Sequence, residues 1–128
     1  MELEEALRIR RSLQDSVALL ASPPEAQAAW LRELGVAPLA DELALEFNDL
    51  ERLVPHLGAL GVLTTDATRA LGVLSAALDQ IPGGDEAWRD GALADDVRWE
   101  GIRRAAGLAL VSLLVSSPEK RSDFVHAN

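Results

Sequence analysis

The side chains able to do acid–base or metal chemistry near neutral pH are few in this sequence. There are two histidines, His56 and His126. A helical metal site of the Glu-x-x-His kind needs a carboxylate one turn before the imidazole. The glutamate nearest His56 is Glu51, five residues earlier and off its face. His56 therefore reads as a helix-surface residue beside Pro55, and His126 falls in a polar C-terminal stretch. Cysteine is absent, which removes thiolate nucleophiles, thiolate metal ligands and disulfides. A serine or threonine nucleophile needs a positioned base, but the serines fall at helix caps, inside helices and in the tail, and no G-x-S-x-G elbow occurs. The one lysine is Lys120, and neither G-x-x-x-x-G-K nor G-x-G-x-x-G is present. We therefore expect no catalytic, cofactor-binding or metal-binding residue, and not an enzyme.

Carboxylates remain. Asp41, Glu42, Glu46, Asp49 and Glu51 crowd one segment, with Arg52 the nearby base. Glu42, Glu46 and Asp49 step by 4 and 3, which makes a ridge along one helix face. Like charges at that spacing repel by a few tenths of a kcal/mol per pair, a cost tolerated either for solvation or for meeting a basic surface. A second group, Asp85, Glu86, Asp90, Asp95 and Asp96, surrounds Trp88 on a loop. Loops held by a rigid frame often carry binding residues, and tryptophan is enriched at interface hot spots. Trp88 could equally plug the end of a helical bundle. The Asp-x-[DN]-x-[DN]-G spacing of a calcium loop is missing.

Charge decides which partners suit such a surface. The chain has 128 residues, 21 of them acidic and 12 basic, for a net −9. Residues 23–61 alone carry −5 of this. A field of that sign disfavours phosphate backbones and anionic lipid and favours a basic partner. The stretch Thr65–Leu78 has the outline of a DNA-binding helix-turn-helix, with Leu71-Gly72-Val73 at the turn. Its second half offers Ser75 and, just beyond it, Asp79 and Gln80, with no arginine or lysine. Nucleic acid is not the expected partner. Nor is a membrane: the longest uncharged run, Ala105–Pro118, has 14 residues, short of the about 20 a span requires. The N-terminus lacks the apolar core of a secretory signal, and with no cysteine the expectation is a cytoplasmic protein.

The elements that must position these groups are helical. Tyrosine is absent and no period-2 alternation is sustained. A first helix is expected over about Glu2–Ala21, with Ala6, Ile9, Leu13, Val17 and Leu20 facing inward and Pro23-Pro24 ending it. Ser22-Pro23-Pro24-Glu25 matches a capping box for a second helix, with Trp30 and Leu34 toward the core and Gly35 at its end. Pro38 opens a third stretch, striped by Leu39, Leu43, Phe47, Leu50, Val54 and Leu57. Pro55 should kink it or start a short new helix that ends near Gly61. Thr64 or Thr65 caps a helix striped by Ala67, Leu71, Leu74, Leu78 and Ile81, with Gly83-Gly84 at its end. Residues 85–94 read as a loop with a short turn at Trp88. Asp95 or Asp96 caps the last helix, whose inner face is Trp99, Ile102, Ala106, Leu110 and Leu113. The expected architecture is an all-α single domain of five to six helices over residues 1–117, with a flexible tail over 118–128.

The stretches ELALEFNDLERLVPHL and DEAWRDGALADDVRWEGIRRAAGLAL add a resemblance over residues 41–110. Glu46-Phe47-Asn48-Asp49, and the tryptophan loop leading into Asp96-x-x-Trp99-x-x-x-Arg103, resemble small helical proteins of high-GC bacteria. Some of those are similar to immunity proteins that neutralise polymorphic toxins. The resemblance implies a protein that binds a protein, and no catalytic residue. The expected function is thus an acidic interaction module docking a basic partner through Glu42, Glu46, Asp49, Asp85, Glu86, Trp88, Asp90, Asp95 and Asp96. The alternative is a structural or homo-oligomerising subunit, dimerising through the amphipathic first helix.

Overall fold

In the computed structural model, residues 1–35, 40–89 and 91–116 are described. They form seven α-helices: α1 (Leu3–Ala21), α2 (Pro24–Glu33), α3 (Asp41–Glu51), α4 (Val54–Ala59), α5 (Thr65–Asp79), α6 (Ala92–Asp95) and α7 (Val97–Val115). A 3₁₀ turn, Glu86–Trp88, lies between α5 and α6, and there is no strand among the described residues. The expected all-α bundle is what forms, with α6 an additional single turn inside the stretch read as loop. The C-terminal tail and the Pro38–Leu39 start of the third stretch lie outside the described residues.

Two long helices make the frame. α7 lies against both α1 and α5, and α1 also packs on α3. Arg10 of α1 reaches the Leu113 carbonyl near the end of α7, whereas the C-terminal end of α1 connects through Gln27 to Arg103 near its start. The two helices therefore run antiparallel. The stripes read from the sequence supply the core: Ala6, Leu13, Val17 and Leu20 of α1, Leu43 and Phe47 of α3, Ala67, Leu71, Leu74 and Leu78 of α5, and Trp99, Ile102, Ala106 and Leu113 of α7 are buried. Each large aliphatic or aromatic side chain contributes about 1.5–3 kcal/mol on burial. Ile9, Leu50 and Leu110 sit half-buried at its margins.

Helix starts follow local chemistry where a polar cap is available. The Thr64 hydroxyl accepts the Ala67 amide at 3.0 Å, and an Asp96 oxygen accepts the Arg98 amide at 2.9 Å. Pro55 falls in the first turn of α4, where its missing amide costs nothing, so the third stretch breaks into two helices. Gly35 and Gly84 hold φ of +70° and +81°, left-handed values that glycine adopts without a Cβ penalty.

The capping box at Ser22 does not form. α2 starts at Pro24 with no side-chain cap, and the Ser22 hydroxyl instead donates back to the Ala18 carbonyl at 2.8 Å, closing α1. Leu34 is exposed, and the core side of α2 is Gln27 and Leu31, with Trp30 half-buried against it. The physical reason is the Pro23-Pro24 pair. The carbonyls of Leu19 and Leu20 would look for the amides of residues 23 and 24, and proline has none. Gln27 Nε2 donates to both, at 3.2 and 3.0 Å, and its Oε1 accepts from Arg103 Nη1 at 3.1 Å. Burying this amide sets the rotation of α2 and turns Leu34 outward.

A second polar anchor stands in the α1 stripe. Arg10 is only 5% exposed, and it donates from Nε to the Val62 carbonyl at 3.0 Å and from Nη2 to the Leu113 carbonyl at 2.6 Å. It joins the segment after α4 to the last turn of α7, whose final carbonyls have no intrahelical donors.

Candidate functional site

The acidic positions divide into two places on the surface, with α3 between them. Glu42, Glu46 and Asp49 form the ridge the spacing implied, on one flank of the buried Leu43–Phe47 stripe; Glu46 and Asp49 are exposed and Glu42 is half-buried. Asp49 meets Arg52 at 3.5 Å with both side chains about three-quarters exposed, a pairing of small energetic weight. The opposite flank of α3, with Asp41, Leu45 and Asn48 at steps of 4 and 3, lines a cleft of about 510 Å³. Across it stand Leu78 and Asp79 of α5, the segment Ile81–Asp85, and Trp88 and Arg89. Asp85 and Trp88 thus meet α3 at this cleft, and the ridge does not line it.

The Trp88 turn is held firmly. The Asp85 carboxylate accepts the Ala87 amide at 2.9 Å, which starts the 3₁₀ turn. Trp88 Nε1 donates to the Pro82 carbonyl at 2.8 Å, and the Trp88 amide donates to the Asp85 carbonyl. The Trp88 carbonyl accepts the Ala40 amide at 2.8 Å and so ties the turn to the start of α3. Trp88 stands edge-to-face on Trp99, with centroids 5.9 Å apart and planes at 85°. Trp99 is fully buried and donates from Nε1 to the Ala87 carbonyl at 2.7 Å. Trp88 therefore both covers one end of the core and lines the cleft.

Arg98 changes how the loop acids read. Its guanidinium donates to both oxygens of Asp85, at 2.7 and 3.2 Å, and to both oxygens of Asp96, at 2.8 and 3.0 Å. Hydrogen bonds from Arg98, then from the Ala87 amide, hold the Asp85 carboxyl below its ordinary value. Arg98, by side chain and then amide, holds Asp96 down to about 2, and the two carboxylates raise the guanidinium in return. Asp85 and Asp96 are thus brought together as an internally paired clamp. Glu86 and Asp95 are exposed and do not line this cleft, while Asp90 lies outside the described residues.

Asp41 differs from these acids. Its Oδ1 is shut from solvent and accepts no hydrogen bond among the described residues. Leu45, Asn48, Asp79 and Arg89 also line the cleft, and none of them is among the site positions expected from the sequence. For Asp41, Leu45 and Asn48 the 4-and-3 spacing was visible, but nothing local indicates which flank faces the Trp88 turn. His56 is exposed on α4, and no group of three His, Asp or Glu side chains able to hold a metal ion occurs among the described residues. No helix of the described residues is long and apolar enough to cross a membrane. In comparisons with family models, with curated proteins and with solved structures, nothing matches this chain.

Proposed function

We propose that this protein is an acidic helical interaction module, of the immunity or antitoxin type, that docks a basic protein through the surface around α3. One observation carries the reading: α3 presents carboxylates on both sides of its buried stripe, the Glu42–Glu46–Asp49 ridge on one flank and the Asp41 cleft with Trp88 on the other. The core stripe and the tie between Ala40 and Trp88 fix α3 against the bundle, so this charge is presented without reordering of its backbone. An aromatic in a cleft rimmed by charge has the composition of an interface hot spot. The reading takes the protein as cytoplasmic, in keeping with its lack of cysteine.

The test is an association rate. A tagged chain recovers its partner from the source cell, and stopped-flow binding follows with the purified pair. The rate with wild type falls as salt rises, and the Glu42→Lys, Glu46→Lys, Asp49→Lys triple variant associates at least about tenfold more slowly at low salt. An acidic partner, or a rate unchanged by the triple variant, refutes the reading.

A second reading, self-assembly, has its own observation. α1 is not the free face: its apolar stripe is buried in the chain's own core. The outer face of α7 is open instead, with Val97, Leu108, Val111 and Val115 between 59% and 73% exposed. Light scattering on wild type and Leu108→Glu tests it; a monomer in both excludes a dimer through α7.

A further inference from the structure

We infer that the cleft between α3 and the Trp88 turn receives a single arginine side chain of the partner, its guanidinium on Asp41 beside the Trp88 indole. This rests on the reading that the α3 surface docks a basic protein, and it names the contact.

The cleft contains three carboxylates, and they are not equivalent. Asp85 is already engaged, its two oxygens taken by Arg98 and the Ala87 amide. Asp79 is exposed, solvated at the end of α5. Of the three, Asp41 alone has an oxygen that is closed to solvent and without a donor among the described residues, in a half-buried side chain. A buried acceptor left unmade is costly; a turn of the Asp41 carboxylate about its last side-chain torsion brings this oxygen to the cleft, where an incoming N–H removes that cost. A guanidinium brings five donors in a planar fork, enough to satisfy Asp41 and keep others for solvent.

The remaining walls suit the rest of an arginine residue. Ala44, Leu78 and Ile81 are buried and Leu45 is 48% exposed; together they offer an apolar wall to the aliphatic stem. Trp88 is an aromatic neighbour for a cation, and its bond to Pro82 and its contact with Trp99 hold the ring in place beforehand. The volume, about 510 Å³, exceeds one side chain and leaves room for flanking backbone. Arg89 also lines the cleft. Its positive charge opposes a polyamine or a second adjacent cation, and its donors suit a peptide carbonyl beside the bound residue. No three-ligand metal group is present among the described residues. The combination selects one cation carried on a polypeptide.

The experiment titrates the full chain with N-acetyl-L-argininamide and follows the Trp88 indole N–H resonance by heteronuclear NMR, with buried Trp99 as internal reference. A saturable shift with a millimolar constant is expected, the scale for so small a ligand. N-acetyl-L-citrullinamide, neutral and nearly isosteric, should bind at least about tenfold more weakly. Asp41→Asn should abolish the saturable shift. Because Asp41 opens α3, Leu45→Arg is the second variant: one turn along the same flank, it places an arginine of the chain itself in the cleft and excludes the probe. Equal shifts from the citrulline analogue, or a wild-type constant in both variants, would overturn the inference. If the probe fails to bind while the ridge variant still slows association, the arginine site falls and the docking reading stands. If the probe binds as expected but the ridge variant associates at the wild-type rate, the site stands and the docking reading falls.

Discussion

Replacing Gln27 with methionine isolates what one buried amide does at the junction of α1, α2 and α7. Methionine nearly matches glutamine in length and volume and keeps an unbranched stem, so packing is conserved while the hydrogen bonds are lost. Gln27 is fully buried and makes three such bonds. The Leu19 carbonyl keeps another donor, the Ser22 amide at 3.1 Å. The Leu20 carbonyl has no substitute, because the residues three and four positions on are Pro23 and Pro24. Stranding one buried acceptor costs about 1–3 kcal/mol. Arg103 loses Gln27 Oε1 but keeps the Leu93 carbonyl at 3.0 Å, and as a half-buried residue it can recruit water, so its share is the smaller. The expected loss is about 2–3 kcal/mol, roughly 10 °C in Tm for a domain of this size. Urea and thermal unfolding followed by circular dichroism measure it, and a Gln27→Met, Arg103→Met double-mutant cycle should show coupling between the two sites. A loss below about 0.5 kcal/mol for Gln27→Met would refute the claim that the amide answers the two missing proline donors.

Arg10→Met should cost about 2–4 kcal/mol, since it strands the Val62 and Leu113 carbonyls that the guanidinium now serves; Arg10→Lys should recover little, because an ammonium cannot span both. Chemical denaturation decides, and near-wild-type stability in Arg10→Lys contradicts the fork geometry. Leu74→Asp should abolish folding, because Leu74 is fully buried in the stripe of α5 that meets α7, and a cooperative melt near the wild-type Tm would contradict that packing. The Asp96 carboxyl, held at about 2 against an unperturbed 3.8, lends stability that is present above pH 3.8 and lost as pH falls toward 2; Asp85 shifts in the same direction. Acid titration of Arg98→Met should therefore lose less stability across that window than wild type, and identical slopes would exclude the clamp as the cause.

Most of the helices were legible in the sequence because apolar spacing is a local property. Ala67, Leu71, Leu74, Leu78 and Ile81 step by 4, 3, 4 and 3, and they are buried as that spacing demands. Thr64 and Asp96 cap where a side-chain oxygen precedes a helix, because capping involves only residues two or three apart. Ser22 departs from the expected cap because two local outcomes are open to it, starting α2 or closing α1. Pro23 has no amide for the Leu19 carbonyl, so the Ser22 amide goes there, and the Ser22 hydroxyl turns back to the Ala18 carbonyl that this amide leaves. Leu34 departs from its expected place for a related reason, since a distant Arg103 and the Leu19 and Leu20 carbonyls draw Gln27 inward.

The candidate site was legible only in part. The ridge of Glu42, Glu46 and Asp49 exists as its spacing requires, and Trp88 does lie against an acidic helix. The flank of α3 that faces Trp88 was not legible, because it depends on how α3 is rotated over α1 and on the bond from the Ala40 amide to the Trp88 carbonyl. Net charge counts Asp85 and Asp96 as two free acids, whereas Arg98 takes both once α7 is set beside the turn. By itself, then, the sequence determined most of the helices and most of their apolar faces, the sign of the surface charge and the absence of cysteine chemistry, all properties that neighbouring residues settle among themselves. Tertiary structure alone decided which acids stay unpaired, that an arginine and a glutamine belong in the core, and that Asp41 and Trp88 share a cleft. Those outcomes depend on distances between residues far apart in the chain, which are set only when the helices pack.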